Sequence, residues 1–203
     1  MSDIKNIEQH YSLDERPFLE KVRGFCQLVD DRYSPYLTDF LNPREIQIVE
    51  ELAHYYNLKF FVSSTPESEE YGRVILAPEY YELDDEDFEI KRLEISYARQ
   101  FNKLTHPKVL GALINQLGLD RQVFGDIILD EEGRVQFSIA SHLASYAIMT
   151  ITKIGNVSVT LKEVSKDDWI SNQENYSQSF VLLSSMRLDN VLATILNLSR
   201  SNA

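Results

Sequence analysis

Residues 88–164, FEIKRLEISYARQFNKLTHPKVLGALINQLGLDRQVFGDIILDEEGRVQFSIASHLASYAIMTITKIGNVSVTLKEV, decide the architecture of the chain. FEIKRLEISYA alternates with the period of a strand, placing Leu93, Ile95 and Tyr97 on one face. HPKVLGALINQLG changes to helical spacing through Val109, Leu110, Leu113, Ile114 and Leu117, with Gly118 as its stop. GDIILD and RVQFSIA are then strands joined at Asp130-Glu131-Glu132-Gly133, a hairpin signal. SHLASYAIMTITKIG returns to helical spacing through Leu143, Ala147, Ile148 and Ile151, and NVSVTLKEV closes the set. The order β-α-β-β-α-β is the split βαβ arrangement of ferredoxin-like domains, in which two helices cover one face of a four-stranded sheet. That arrangement predicts that the other face stays available.

Working outward, the segment before residue 85 reads as a small α+β unit. Phe18, Val22, Phe25 and Val29 recur at helical spacing between Pro17 and Asp31. Asn42 can accept a hydrogen bond from a free backbone N–H while Pro43 presets the first helical φ, so a second helix starts there. Ile46, Val49, Leu52, Ala53 and Tyr56 form its apolar side, and the β-rich runs LKFFVSS and RVILAP follow as a pair of strands. After Val164 the chain is polar until MRLDNVLATILNLSRSNA, which starts a further helix through Leu188, Val191, Leu192, Ile195 and Leu196. The expected class is α+β. Its expected divisions are an N-terminal α+β domain over 1–85, a ferredoxin-like domain over 86–165, a linker over 166–185 and the start of another domain over 186–203.

Composition narrows the function. The 203 residues are 43% hydrophobic and carry a formal charge of −12, which excludes a chain that coats nucleic acid by overall charge. The charge is uneven, however. Residues 66–89 carry −9 and residues 90–164 carry +2, so any contact with nucleic acid must be local. The acidic stretch reads first as a solvated loop. Cys26 is the single cysteine; it excludes a disulfide framework and reads as a buried apolar residue in a reducing compartment. The polar start MSDIKNIEQHYSLDERPFLEK is no signal peptide and no apolar run has the length of a membrane span. The expected location is the cytoplasm, without membrane insertion.

Enzyme signatures are absent from the motifs. His10, His54, His106 and His142 lie far apart in sequence, without metal-ligand spacing, so no metal or other cofactor is expected. Gly125-Asp126 reads as a turn glycine with a capping carboxylate rather than a catalytic aspartate. An open sheet can stack bases on aromatic side chains, but GRVQFSIA matches that signature poorly, and Val135, Phe137 and Ile139 share a face that is expected to pack under the helices. The basic residues stand near element ends: Lys103, His106, Arg121 and Lys153. Charge there can touch phosphates without reading base sequence, or can simply be scattered solubilising charge.

The run RLDNVLATILNLSRSNA resembles the opening of an S-four domain, a small RNA-binding module. The blocks LTDFLNPRE, RVILAPEYY, LTHPKVLGALINQLGLDRQVFGDIIL and TKIGNVSV resemble the YlmH family of bacterial S-four proteins. The resemblance implies an RNA-recognition-like middle domain and a C-terminal S-four domain, of which residues 186–203 would be an incomplete start. It implies a non-catalytic, cytoplasmic partner of ribosomal RNA or tRNA on the ribosome, linked to large-subunit quality control or rescue and to cell division. By the same resemblance Arg187, Ser199 and Arg200 match positions that face RNA or hold that face, and Asp189 fixes the helix. Two other readings stay open: a protein-interaction module in cell division, and a pseudouridine synthase-like enzyme with Asp189 as nucleophile. Where such proteins carry a Gly-Gly turn, this chain has Ser63-Ser64.

Overall fold

The structure is a computed structural model that describes residues 11–64, 69–170, 180–183 and 185–196. Residues up to 172 form one compact unit and residues 173–203 a second. The described part of the first unit contains two larger antiparallel sheets, each with two helices against it, and a separate two-stranded one.

The N-terminal sheet has three strands, in the order β1-β3-β2, from β1 (Tyr36–Leu41), β2 (Lys59–Val62) and β3 (Gly72–Ala77). LKFFVSS and RVILAP pair as the sequence suggests, Phe61 opposite Ile75. The strand β1 has no alternating signal and was not expected; it pairs on the other side of β3. Helices α1 (Arg16–Arg32) and α2 (Pro43–Tyr55) cover one face. Their buried residues include Leu19, Val22, Cys26, Val29, Ile48, Val49, Leu52 and Ala53, so the Phe18 and Phe25 of the expected stripe sit at its flank. Burial pushes the Cys26 thiol up to about 11, which leaves it protonated and inert at neutral pH. At the start of α2, Asn42 accepts from the Glu45 N–H and Glu45 accepts from the Asn42 N–H, both at 2.9 Å. That reciprocal pair satisfies donors a helix start leaves free.

All six residues of β3 are buried, which explains its unbroken apolar run. The second face carries Ile75, Ala77 and Phe88 and the buried Arg73, whose guanidinium donates to the carbonyls of Thr38, Phe88 and Glu89. Burial lowers its pKa, and three carbonyl acceptors replace the water it has lost. Arg73 thereby ties β1 to the 3-10 turn Asp85–Phe88 that leads into the second sheet.

The second sheet has the order β5-β6-β4-β9, from β4 (Ile90–Ser96), β5 (Phe124–Leu129), β6 (Val135–Ala140) and β9 (Thr160–Glu163). Helices α3 (His106–Leu117) and α4 (Ala144–Thr150) supply the two crossovers, giving the split βαβ order read from the sequence. Leu93, Ile95, Phe124, Val135, Phe137 and Ile139 are fully buried in the core shared with the helices. Tyr97 packs there too and donates its hydroxyl hydrogen to the Gly133 carbonyl at 2.8 Å. The second helical segment is shorter than its spacing suggests. Ser141–Leu143 forms a 3-10 turn, and the chain after Thr150 folds into the small hairpin of β7 (Lys153–Ile154) and β8 (Val157–Ser158) before β9.

Gly125 marks where the two sheets meet. A Cβ there would lie 2.7 Å from the Phe40 ring and 2.9 Å from Ser138 Cβ, so the residue is needed for close approach rather than for a turn. Asp126 beside it accepts from the N–H groups of Glu70 and Tyr71, so its carboxylate ties a loop distant in sequence to β5 rather than capping a local turn. In the second unit, α5 (Leu188–Ile195) begins two residues after Met186, and Asn190 donates from its side chain to the Ser185 carbonyl at 2.9 Å.

Candidate nucleic-acid interface

The outward face of the four-stranded sheet is not available, contrary to the sequence expectation. Alternation places Arg92 and Glu94 on that face of β4, and register places Ser138 and Gln136 opposite them on β6. These four polar residues are all buried, at 3%, 5%, 1% and 0% exposure. What covers them is the chain itself. The segment Lys166–Ile170, expected as the start of a linker, lies across the sheet as a strap. Gln136 holds it: its carbonyl oxygen accepts from the Ile170 N–H at 3.0 Å and its amide donates to the Asp168 carbonyl at 2.9 Å. Arg92 donates to the Ile170 carbonyl, pairs with the Glu69 carboxylate and stacks its guanidinium 4.1 Å from the Trp169 ring centre. Burial pushes the Arg92 guanidinium down to about 10, against the pull of Asp126. It therefore stays charged at neutral pH and the strap covers a cation, not an apolar platform.

Basic character emerges instead at one end of this face. Glu94 is buried, and three cations converge on it: Arg134 at 2.7 Å, Arg99 at 3.6 Å and Lys162 at 3.8 Å. Gln136 donates to the same carboxylate at 3.0 Å. Burial alone would raise the pKa of Glu94; the hydrogen bonds from Arg134 and Gln136 and the charges of Arg134 and Lys162 outweigh it, so the carboxyl is held below its ordinary value. Glu94 thus gathers three cations whose tips are partly or largely exposed, while Asp130 and Asp168 also act on Arg134. Arg99 continues into the loop Arg99-Gln100-Phe101-Asn102-Lys103, where Phe101 is 84% exposed and Lys103 is exposed. Arginine forks suit phosphate oxygens, and an exposed ring beside them can stack a base.

The residues singled out from the sequence divide. Lys103 and His106 stand exposed at the entry to α3, on the loop that carries Phe101. Lys153 is exposed, but its carbonyl accepts from Gln116, ten residues along α3 from His106 and so about 15 Å away along the axis. Arg121 is occupied within the fold: it stacks 4.2 Å from the Tyr71 ring centre and donates to the Phe124 carbonyl. The four thus do not form one site. Val135, Phe137 and Ile139 pack under the helices, as expected. In the second unit Arg187 precedes α5 and donates to Asp189 at 3.2 Å; Ser199 and Arg200 lie outside the described residues. Sequence reasoning missed Arg99, Arg134, Lys162 and Phe101. The available signal was the polar phase of the strands, Arg92-x-Glu94 and Gln136-x-Ser138, which marks a second buried face.

The fold belongs to the α+β proteins built on a split βαβ domain, and residues 84–168, which include β4 to β9, match the family model described as "Putative RNA-binding domain in YlmH". The chain is 32% identical over 200 residues, 98% of its length and 77% of the relative's, to the "Ribosome-associated protein quality control protein P2" of Bacillus subtilis. It also matches the solved structure of the "Cell division protein ylmH from Streptococcus pneumoniae", at 40% identity and a TM-score of 0.71, over 80% of this chain and 98% of that one. The chain belongs to the YlmH family.

Proposed function

We propose that this chain is a non-catalytic, cytoplasmic RNA-binding protein that associates with the ribosome and contacts ribosomal RNA or tRNA through backbone phosphates. The observation that carries the reading is the convergence of Arg99, Arg134 and Lys162 on the buried Glu94. The buried carboxylate accepts a hydrogen bond from Arg134 and keeps Arg99 and Lys162 at ion-pair distance, so part of the ordering cost of binding is met within the fold. Phe101 and Lys103 extend the surface with a stacking ring and a further charge. Such contacts follow RNA shape and charge rather than base sequence. The name of the Bacillus subtilis relative, with ribosome association and quality control in it, supports the choice of partner.

Among the described residues no helix is long and apolar enough to cross a membrane. The S-four-like segment supplies Arg187 as a second RNA contact, with Asp189 orienting it. Co-sedimentation with purified ribosomal subunits tests the reading. The chain is expected to travel with the large subunit at low salt and to be released as salt rises; no binding at low salt would overturn it. A role in cell division is the second reading, favoured by the name of the streptococcal relative; recovery of division proteins from nuclease-treated extract, with no ribosome binding, would select it.

A further inference from the structure

Outside the basic corner the most distinctive surface lies at the opposite extreme of charge. A groove of about 350 Å³ opens between the start of β1 and the segment before β4, lined by Pro35, Leu37, Ile75 and Tyr81, with Glu86, Asp87 and Glu89 at its wall. The segment 79–89 carries seven carboxylates and no Lys or Arg. Cations from elsewhere offset part of this: Lys166 pairs with Asp85 at 3.1 Å, Lys91 acts on Glu86 and the buried Arg73 on Glu89, while Lys59 is spent on the Tyr81 carbonyl at 2.9 Å.

The wall is held rigidly. Arg73 fixes the Phe88 and Glu89 carbonyls, Ser141 donates its N–H to the Glu89 carbonyl at 2.7 Å, and Glu89 adopts φ 48°, a left-handed conformation unusual for a side chain of its kind. Next to the groove in sequence, Tyr33 and Tyr80 meet at a 40° tilt with ring centres 5.0 Å apart while 65% and 55% exposed. The Tyr80 hydroxyl donates to the Tyr33 carbonyl at 2.8 Å, and Tyr33 itself sits at φ 50°. Two exposed rings are thus held against each other, close in sequence to the Pro35 and Tyr81 that line the groove.

We infer that this groove docks an arginine- and lysine-rich segment of a protein partner that also carries an aliphatic anchor. The anchor would pack on Pro35 and Leu37, above the buried Ile75, while guanidinium and ammonium groups meet the carboxylates of the wall and the faces of Tyr33 and Tyr80. Charge complementarity selects this occupant: the lining carboxylates Glu86, Asp87 and Glu89, within a segment of seven acids and no Lys or Arg, repel a phosphate backbone, and a purely apolar partner would desolvate them without return. The inference rests on the groove and stands whether or not the RNA reading holds.

The test is fluorescence anisotropy of the intact chain with a labelled twelve-residue peptide of Lys, Arg and Leu. Comparators are the same peptide with Gly for Leu, one with Glu for Lys and Arg, and a labelled RNA hairpin. The basic Leu-containing peptide should bind, and Glu82→Lys/Glu86→Lys should weaken it at least tenfold. Tyr80→Ala should weaken it several-fold, and Arg99→Ala/Lys162→Ala should leave it unchanged. All substitutions are at exposed or partly exposed side chains, and unchanged far-UV circular dichroism confirms folding. Equal affinity of wild type and Glu82→Lys/Glu86→Lys, or no peptide binding by wild type, would overturn the inference. So would equal binding of the Leu and Gly peptides, weaker RNA binding by Glu82→Lys/Glu86→Lys, or dimerisation of the free chain that those substitutions abolish. Failure of RNA binding alone would leave it intact and count against the RNA reading only.

Discussion

Replacing Gln136 with leucine removes the clamp that holds the strap over the second sheet. Gln136 is fully buried and makes three hydrogen bonds: to Glu94, to the Asp168 carbonyl and from the Ile170 N–H. The bond to a carboxylate is worth about 1.5–3 kcal/mol and each neutral one about 1 kcal/mol, so the gross loss is about 4 kcal/mol. Leucine has nearly the same volume, and burying its apolar atoms returns about 2 kcal/mol. Asp168 keeps its bond from Arg134 at 3.3 Å, which limits the loss further. The net destabilisation is therefore about 2 kcal/mol, and it falls on the strap. Trp169 is the single tryptophan of the chain, so its fluorescence reports the strap directly. In a urea titration of Gln136→Leu the Trp169 emission should shift to the red and become open to acrylamide before the far-UV signal is lost, whereas the wild-type transitions should coincide. Coincident transitions in the variant, with stability within about 0.5 kcal/mol of wild type, would refute the clamp.

Two other outcomes follow from the same packing. Gly125→Ala should cost about 1–3 kcal/mol, because the added methyl meets the Phe40 ring and Ser138 Cβ within a packed contact; a melting temperature equal to wild type would contradict the close approach. Glu94, with its carboxyl held below the ordinary value, contributes stability that is present above the unfolded-state pKa of about 4.3 and is lost as pH falls through the lower folded-state value. Glu94→Gln should therefore flatten the acid limb of the stability curve, measured by urea unfolding from neutral to acid pH, and an unchanged acid limb would show that the cations do not hold it.

How far the fold could be read in advance follows from what shapes each element. Leu93 and Ile95, or Val135, Phe137 and Ile139, alternate because one sheet face meets helices, and that pattern is local to the sequence. The strap is not. Ser165–Ile170 is polar and is held by backbone hydrogen bonds to Gln136 and Arg92, which no composition records, so it resembles a linker. The strand β1 was hidden for a related reason: Tyr36–Leu41 pairs with β3 across a register shift between Leu37 and Phe40, so its apolar residues do not alternate. At the candidate site Lys103 and His106 were legible as charges at an element end. Arg99, Arg134 and Lys162 are 35 and 28 residues apart in sequence and meet through strand pairing and the packing of the β5–β6 hairpin, with Glu94 opposite both Gln136 and Lys162. The charge cluster is a property of register.

The proposed contact of the basic corner, rather than the sealed sheet face, with RNA is tested most directly by the salt dependence of binding to large ribosomal subunits for wild type and Arg99→Ala/Lys162→Ala. Each phosphate contact contributes about 0.7 to 0.9 to the slope of log affinity against log salt, so losing two contacts should reduce the slope by about 1.4 to 1.8. Binding at low salt should weaken accordingly while far-UV circular dichroism stays unchanged. An unchanged slope and affinity in the folded variant would contradict the account and move the contact away from the Glu94 cluster.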